Sequence, residues 1–224
     1  MLAAAPKQLQ IAGIAFDVVS HGRSKHRYLH IHGNEATARE VLREHMKKFK
    51  GTAYLVKSDK RMVPVGDCTI DPNRMYTPVG ARKSLERLNK DKSPAQIDAA
   101  LALLAKDRET FVKAVSPPKG GRLVAMHNNS EGYSMLDEIP ISDKIWQPKK
   151  DQPHEFMLAT NEEDFTKLAK GEFNVVLQKT VKEDDGSFSV LAAGKGIRYI
   201  NIEAAIGNAA GQKAMLDFLE AALS

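Results

Sequence analysis

Cys68 is the chain's single cysteine among 224 residues, which excludes an internal disulfide framework and every cysteine-rich zinc motif. Aromatic residues are scarce at 6%, with one tryptophan. So few rings leave little to interleave with basic residues for stacking on bases. No apolar run approaches the roughly 20 residues a helix needs to cross a bilayer. The opening MLAAAPKQ lacks a full signal-peptide apolar region, although AAAP resembles the tail left beside a cleavage site. Localisation therefore stays open between the cytoplasm and, for a trimmed precursor, the periplasm or exterior.

What is present suits one sizeable core. The hydrophobic fraction is 42%, and the length fits one large domain better than two, so residues 1–224 are read as a single unit. Net charge is +5, spread along the chain. The densest basic clusters, HGRSKHR at 21–27 and KKFK at 47–50, read as solvated faces rather than a nucleic-acid site.

Period-two alternation and turn residues predict strands near 8–19 (a hairpin turning at Gly13), 27–32, 52–57, 121–126, 154–159, 173–178, 187–192 and 197–203. Helices are expected near 35–49, 94–115, 161–170 and 208–222. Ser93-Pro94 gives the second a cap and a first-turn proline. Asn161 with Glu162 and Glu163 opens the third, and Gly171 closes it. KEDDGSF at 182–188 reads as a hairpin turn and WQPKKDQP at 146–153 as an exposed loop. Strands interleaved with helices make an α/β domain, and the hairpins make its sheet mixed.

Four segments hold residues suited to chemistry. YLHIHGNE at 28–35 ends a strand at a sharp turn, where His32 and Glu35 reach one metal ion or simply form an ordinary turn. DPNRMY at 71–76 offers Asn73 and Arg74, a planar clamp for a carboxylate or a capped surface turn. RLVAMHNN at 122–129 brings His127 to a strand's exit, where α/β sheets bind ligands, or to its rim. IRYINIEA at 197–204 ends an apolar strand with Glu203, a general base if buried and a solvated carboxylate if not.

In this order, the segments resemble the zinc carboxypeptidase superfamily, nearest its short carboxypeptidase-like and aspartoacylase/succinylglutamate desuccinylase-like members. HGNE at 32–35 matches that family's H-x-x-E pair, DPNR at 71–74 its D-x-N-R, MHNN its third ligand histidine, and NIEA its catalytic glutamate. The resemblance covers about residues 27 to 222. It implies a three-layer α/β/α fold with a mixed central sheet and one zinc ion held by His32, Glu35 and His127. It further implies a substrate carboxylate on Asn73 and Arg74, and Glu203 as general base and then proton donor. The family's carbonyl-polarising arginine has its nearest counterpart in Arg61. Tyr133 is a cleft residue without a motif, and Tyr199 sits too close to Glu203 to be the family's mobile tyrosine.

The activity this implies is hydrolysis of an amide beside a free carboxylate, in a small peptide or an N-acyl amino acid. The alternative is a binding protein that keeps the fold with a structural or vestigial zinc site. Other readings are weaker. His30-x-His32 resembles the paired histidines of a metal-dependent amidohydrolase barrel, but the chain has too few helices for eight strand–helix units. GNAAGQKA at 207–214 has its glycines too close for a phosphate loop. Glu131 and Glu138 compete with Glu203 as bases. His21, His26, His45 and His154 lie in polar stretches and are expected to be exposed.

Overall fold

GTAYLV and LVAM alternate no polar residues with apolar ones, and strands of that kind need cover on both faces. The computed structural model describes residues 8–129 and 132–224, and it supplies that cover. In chain order the strands are β1 (Gln8–Ile11), β2 (Ile14–His21), β3 (Arg27–His30), β4 (Gly51–Val56), β5 (Val63–Val65) and β6 (Cys68–Ile70). Then come β7 (Leu123–Asn129), β8 (Lys144–Trp146), β9 (Phe156–Ala159), β10 (Asn174–Leu177) and β11 (Tyr199–Ala205). The helices are α1 (Ala36–His45), α2 (Pro78–Leu88), α3 (Pro94–Val115), the one-turn α4 (Met135–Glu138), α5 (Glu162–Leu168), α6 (Phe188–Lys195) and α7 (Ala209–Ala222).

Nine strands form one mixed sheet in the order β1-β2-β4-β3-β7-β11-β9-β10-β8, and β5 pairs with β6 separately. The central β4, β3, β7 and β11 run parallel to one another. Every residue of β4 and of β7 is buried. Apolar residues of α2, α3 and α6 pack in the core on one face, those of α1, α5 and α7 in the core on the other. The mixed α/β architecture is as expected.

One feature of the topology positions the site. From β3 the chain crosses through α1 to β4 on one side, then returns through α2 and α3 to β7 on the other. The order thus reverses between β3 and β7, and the carboxyl ends of strands at such a switch point border a natural crevice.

Local chemistry explains most elements, including those the sequence pattern missed. Ser93 and Gln96 form a capping box at α3, and Asn161 caps α5. The segment 187–192, expected as a strand, is instead the start of α6. Ser187 caps it by accepting from the Val190 N–H, and Gly196 ends it in the left-handed region. Alternation in SFSVL resembled a strand, but the cap and the following Ala-Ala pair decided for helix. Asp185-Gly186 accordingly joins no hairpin. α2, capped by Thr77 and opened by Pro78, and the short β5 and β6 lie outside the elements that the sequence pattern predicts. Lys144–Trp146, beside the expected loop, is an edge strand pairing with β10.

His45 was expected in solvent and is buried. Its Nε2 lies 3.3 Å from Glu220 on α7. Glu220 also accepts from the Tyr28 hydroxyl at 2.7 Å and pairs with the buried Arg122. A polar local sequence concealed a long-range ion-pair network that fastens the C-terminal helix to the sheet.

Gly186 sets how the loop before α6 seats. Its φ is +84°, and an added Cβ would lie 2.5 Å from the Arg74 carbonyl oxygen; Gly80 of α2 packs as tightly from the other side, its own would-be Cβ 2.0 Å from the Gly186 nitrogen. Gly13 shares the positive φ, at +85°, but has nothing within 4 Å. Gly13→Ala should therefore cost only the backbone term, about 1–2 kcal/mol, while Gly186→Ala adds a clash with backbone. Urea unfolding should place the Gly186→Ala midpoint clearly below that of Gly13→Ala. Equal midpoints would mean that the loop is not packed against Arg74 and α2.

Candidate metal centre

His32 and Glu35 stand in the turn between β3 and α1, and His127 stands two residues before the end of β7. β3 stops at His30, and the chain turns through His32 into α1. Arg39 fastens that turn, donating to the carbonyls of Gly33, Val56 and Ser58. Glu35 is the N-cap of α1, yet its carboxylate makes no capping bond. The N–H of Ala38, which a capping side chain ordinarily takes, is accepted instead by Asn128 Oδ1 of β7 at 2.8 Å. The glutamate is thereby released for another task.

That task is visible in three contacts. Glu35 Oε1 lies 2.7 Å from His32 Nδ1, and Glu35 Oε2 lies 3.2 Å from His127 Nδ1. The two Nδ1 atoms are 3.1 Å apart. The donor atoms of His32, Glu35 and His127 all lie within 4.8 Å of one another, and all three residues are buried. Behind His32, its Nε2 meets Asp71 Oδ1 at 2.7 Å. Asp71 Oδ1 also accepts from the Asn73 N–H at 2.8 Å, capping the short 3-10 turn Pro72–Arg74.

The electrostatics follow from burying carboxylates against imidazoles. Burial alone would lower the pKa of His32, but hydrogen bonds and charge from Asp71 and Glu35 overcome it and push it up to about 9. Burial likewise favours a neutral Glu35, yet His127 and His32 hold its carboxyl well below the usual range. Asp71 is held down in the same way by His32. A proton on His32, with Arg61 at the rim, sets positive charge against both carboxylates. Two imidazole nitrogens and a carboxylate are a donor set that metal ions take. A bound ion would displace that proton, and Asp71 would then orient His32 through its Nε2–H. The residues fit a metal.

Glu203 lies beside His127 on the neighbouring strand, in direct register, and is buried. Asn201 Nδ2 donates to its Oε1 at 3.0 Å, and Asn129 Nδ2 to its Oε2 at 3.4 Å. Burial pushes its pKa up, with His127 opposing. Neither asparagine was singled out from the sequence. The available signal was spacing: each stands two residues from a candidate, Asn129 from His127 and Asn201 from Glu203, and so shares its face of the strand.

The remaining candidates border one cleft of about 580 Å³ that includes the ligand cluster. Arg61, half-exposed, places Nη1 3.0 Å from Glu35 Oε1 and Nη2 3.6 Å from Asp71 Oδ2. Asn73 Oδ1 accepts from the Phe188 N–H at 3.2 Å, tying the turn to the start of α6. Arg74 Nη1 donates to the Asn73 carbonyl at 2.8 Å and lies 3.3 Å from Asp185. The Tyr133 hydroxyl donates to Glu138. His30 does not join the cluster: burial lowers its pKa to about 4, and its Nε2 lies 3.0 Å from the Glu35 carbonyl oxygen. A neutral ring donating to that oxygen steadies the turn. Glu131 lies outside the described residues.

Comparison with known proteins adds little to this geometry. No family model and no curated protein matches the chain. Among solved structures, the gene product Atu2144 of Agrobacterium tumefaciens is similar to it, with 16% identity and a TM-score of 0.48 over 95% of this chain and 93% of that one. A likeness at that level carries no statement about chemistry.

Proposed function

We propose that this chain is a zinc-dependent hydrolase of the carboxypeptidase type, cleaving an amide bond beside a free carboxylate in a small peptide or an N-acyl amino acid. The observation that carries the reading is the convergence of His32, Glu35 and His127, with Asp71 behind His32 and Glu203 in register with His127. The fold supports it in the same measure: a mixed sheet covered on both faces, with the cluster at the carboxyl ends of its central parallel strands.

When bound, zinc supplies Lewis acidity toward a water molecule and an amide carbonyl. The rest is the work of this chain's residues. Glu203 accepts the proton of the attacking water on one carboxylate oxygen and returns it to the departing amide nitrogen. Asn201 and Asn129 aim that carboxylate by holding one oxygen each. Arg61, which faces Glu35 through Nη1 and Asp71 through Nη2, keeps further N–H groups of its five for charge that develops on the carbonyl oxygen. Arg74 has only Nη1 engaged among the described residues, and its other N–H groups receive the substrate carboxylate.

Apo-protein titrated with zinc should bind one ion, and His32→Ala, Glu35→Ala and His127→Ala should each abolish that stoichiometric binding. Asp71→Asn should retain it with affinity lowered roughly 10- to 100-fold. Wild-type affinity in any of the three alanine variants would remove that residue from the ligand set.

Glu203→Gln preserves size and one of the two asparagine hydrogen bonds but cannot take a proton. Zinc content should stay normal while kcat falls by roughly 10²- to 10⁴-fold. Near-full turnover would pass the base to another carboxylate.

Arg74→Ala should raise KM roughly 10- to 100-fold, a partly exposed pair being worth less than a buried one. Wild type should lose the same factor when the substrate's carboxylate is amidated. Equal cleavage of acid and amide by wild type would end the clamp assignment for Asn73 and Arg74.

A further inference from the structure

The chain is basic overall, at +5, but its cleft is not. Apart from the ligand cluster, Glu138, Glu183, Asp185 and Glu203 line it, against Arg61 and Arg74. Both arginines already face carboxylates: Arg61 faces Glu35 and Asp71, and Arg74 faces Asp185. Glu138 has no cation within ion-pair distance among the described residues. Its oxygens accept instead from the Tyr133 hydroxyl and from Gln178 Nε2. Neutral donors orient a carboxylate without cancelling its charge. Burial pushes the Glu138 pKa up, as expected of a carboxylate short of a counter-charge. A carboxylate offers about four lone-pair directions, so room remains for a further donor.

An independent observation points the same way. Asn129 and Asn201 line the cleft, are only 5% and 6% exposed, and leave Oδ1 without a partner among the described residues. Their amides cannot be turned to hide this, because Asn201 Nδ2 donates to the Glu203 carboxylate and Asn129 Nδ2 to the His154 carbonyl as well as to Glu203, all of them acceptors. Two unpartnered amide oxygens and a carboxylate without a cation leave acceptors in the cleft for an incoming donor. An ammonium or guanidinium carries donors and no acceptor.

Resting on the hydrolase reading above, we propose that the cleft selects substrates bearing a cationic side chain on the residue that carries the free carboxylate, and that Glu138 is the specificity-determining counter-ion. Tyr133 and Gln178 are its positioning residues. An acidic side chain meets like charge there, which disfavours N-acyl derivatives of acidic amino acids as substrates.

The test uses three N-acyl dipeptides ending in lysine, norleucine and glutamate, cleaved by the zinc-loaded protein. Norleucine is lysine without its amine, so the lysine-to-norleucine ratio of kcat/KM isolates the charge. That ratio should be on the order of 10- to 100-fold in wild type, with the glutamate peptide poorest. It should fall to about one in Glu138→Gln and stay well above one in Glu138→Asp, which keeps the charge. A calorimetric arm compares binding of free L-lysine and L-norleucine to the same proteins and should give the same ranking.

A wild-type ratio of one or below, or an unchanged ratio in Glu138→Gln, overturns the inference while cleavage itself upholds the hydrolase reading. If none of the peptides is cleaved, the hydrolase reading falls and calorimetry decides. Lysine binding better than norleucine, with the difference lost in Glu138→Gln, keeps the counter-ion assignment. Equal binding removes it.

Discussion

Glu35 and Asp71 are two carboxylates buried against two imidazoles, and the group is tolerable only with positive charge among its members. An isolated buried carboxylate costs so much that it ordinarily takes up a proton instead. Here the two carboxylates raise the pKa of His32, whose Nε2 faces Asp71 and whose Nδ1 faces Glu35, and Arg61 adds its charge from the rim. Removing one carboxylate would leave His32 with the other, and removing the imidazole would leave Arg61 as the charged side chain still facing both. The turn after β3, the 3-10 turn at Pro72–Arg74 and Arg61 all meet at this one cluster.

The surrounding fold makes local concessions to it. α1 lacks a side-chain cap of its own, and Asn128 repairs the loss from β7. Along β7 and β11, positions that would otherwise continue the apolar core carry His127, Asn129, Asn201 and Glu203. They share the face of the sheet that α2, α3 and α6 cover, beyond the last apolar residues of that core. Stability was evidently available elsewhere: both strands are sealed by apolar neighbours on their opposite face, and the Arg122–Glu220 network secures the C-terminal helix. A rigid sheet end with polar side chains whose own neighbours fix them is what a precise site requires.

Much of this was legible in the sequence where the signal was local. The capping box at Ser93, the β1–β2 turn and the apolar run of β7 are decided by residues within a few positions of one another. His32, Glu35, His127 and Glu203 were legible too, because motif order compensates for weak single segments. What escaped needed tertiary information. Asp71 stood inside a quoted motif, but its partnership with His32 spans 39 positions. His45 is buried by a carboxylate 175 positions away, and its polar neighbours in sequence say nothing of that. α6 was misread because alternation over a few residues fits a strand and a short buried helix equally well. Asn73, expected to serve a ligand, also holds the first turn of α6, a double duty that spacing alone does not reveal.

The account turns on where a metal ion sits. Crystals of the protein grown with zinc, measured above and below the zinc absorption edge, test that directly. One anomalous peak is expected among His32 Nδ1, His127 Nδ1 and the Glu35 carboxylate, with His32 Nε2 still bonded to Asp71. A fully occupied peak elsewhere, or an ion-free cluster that keeps its His32–Glu35 contact at saturating zinc, would contradict it.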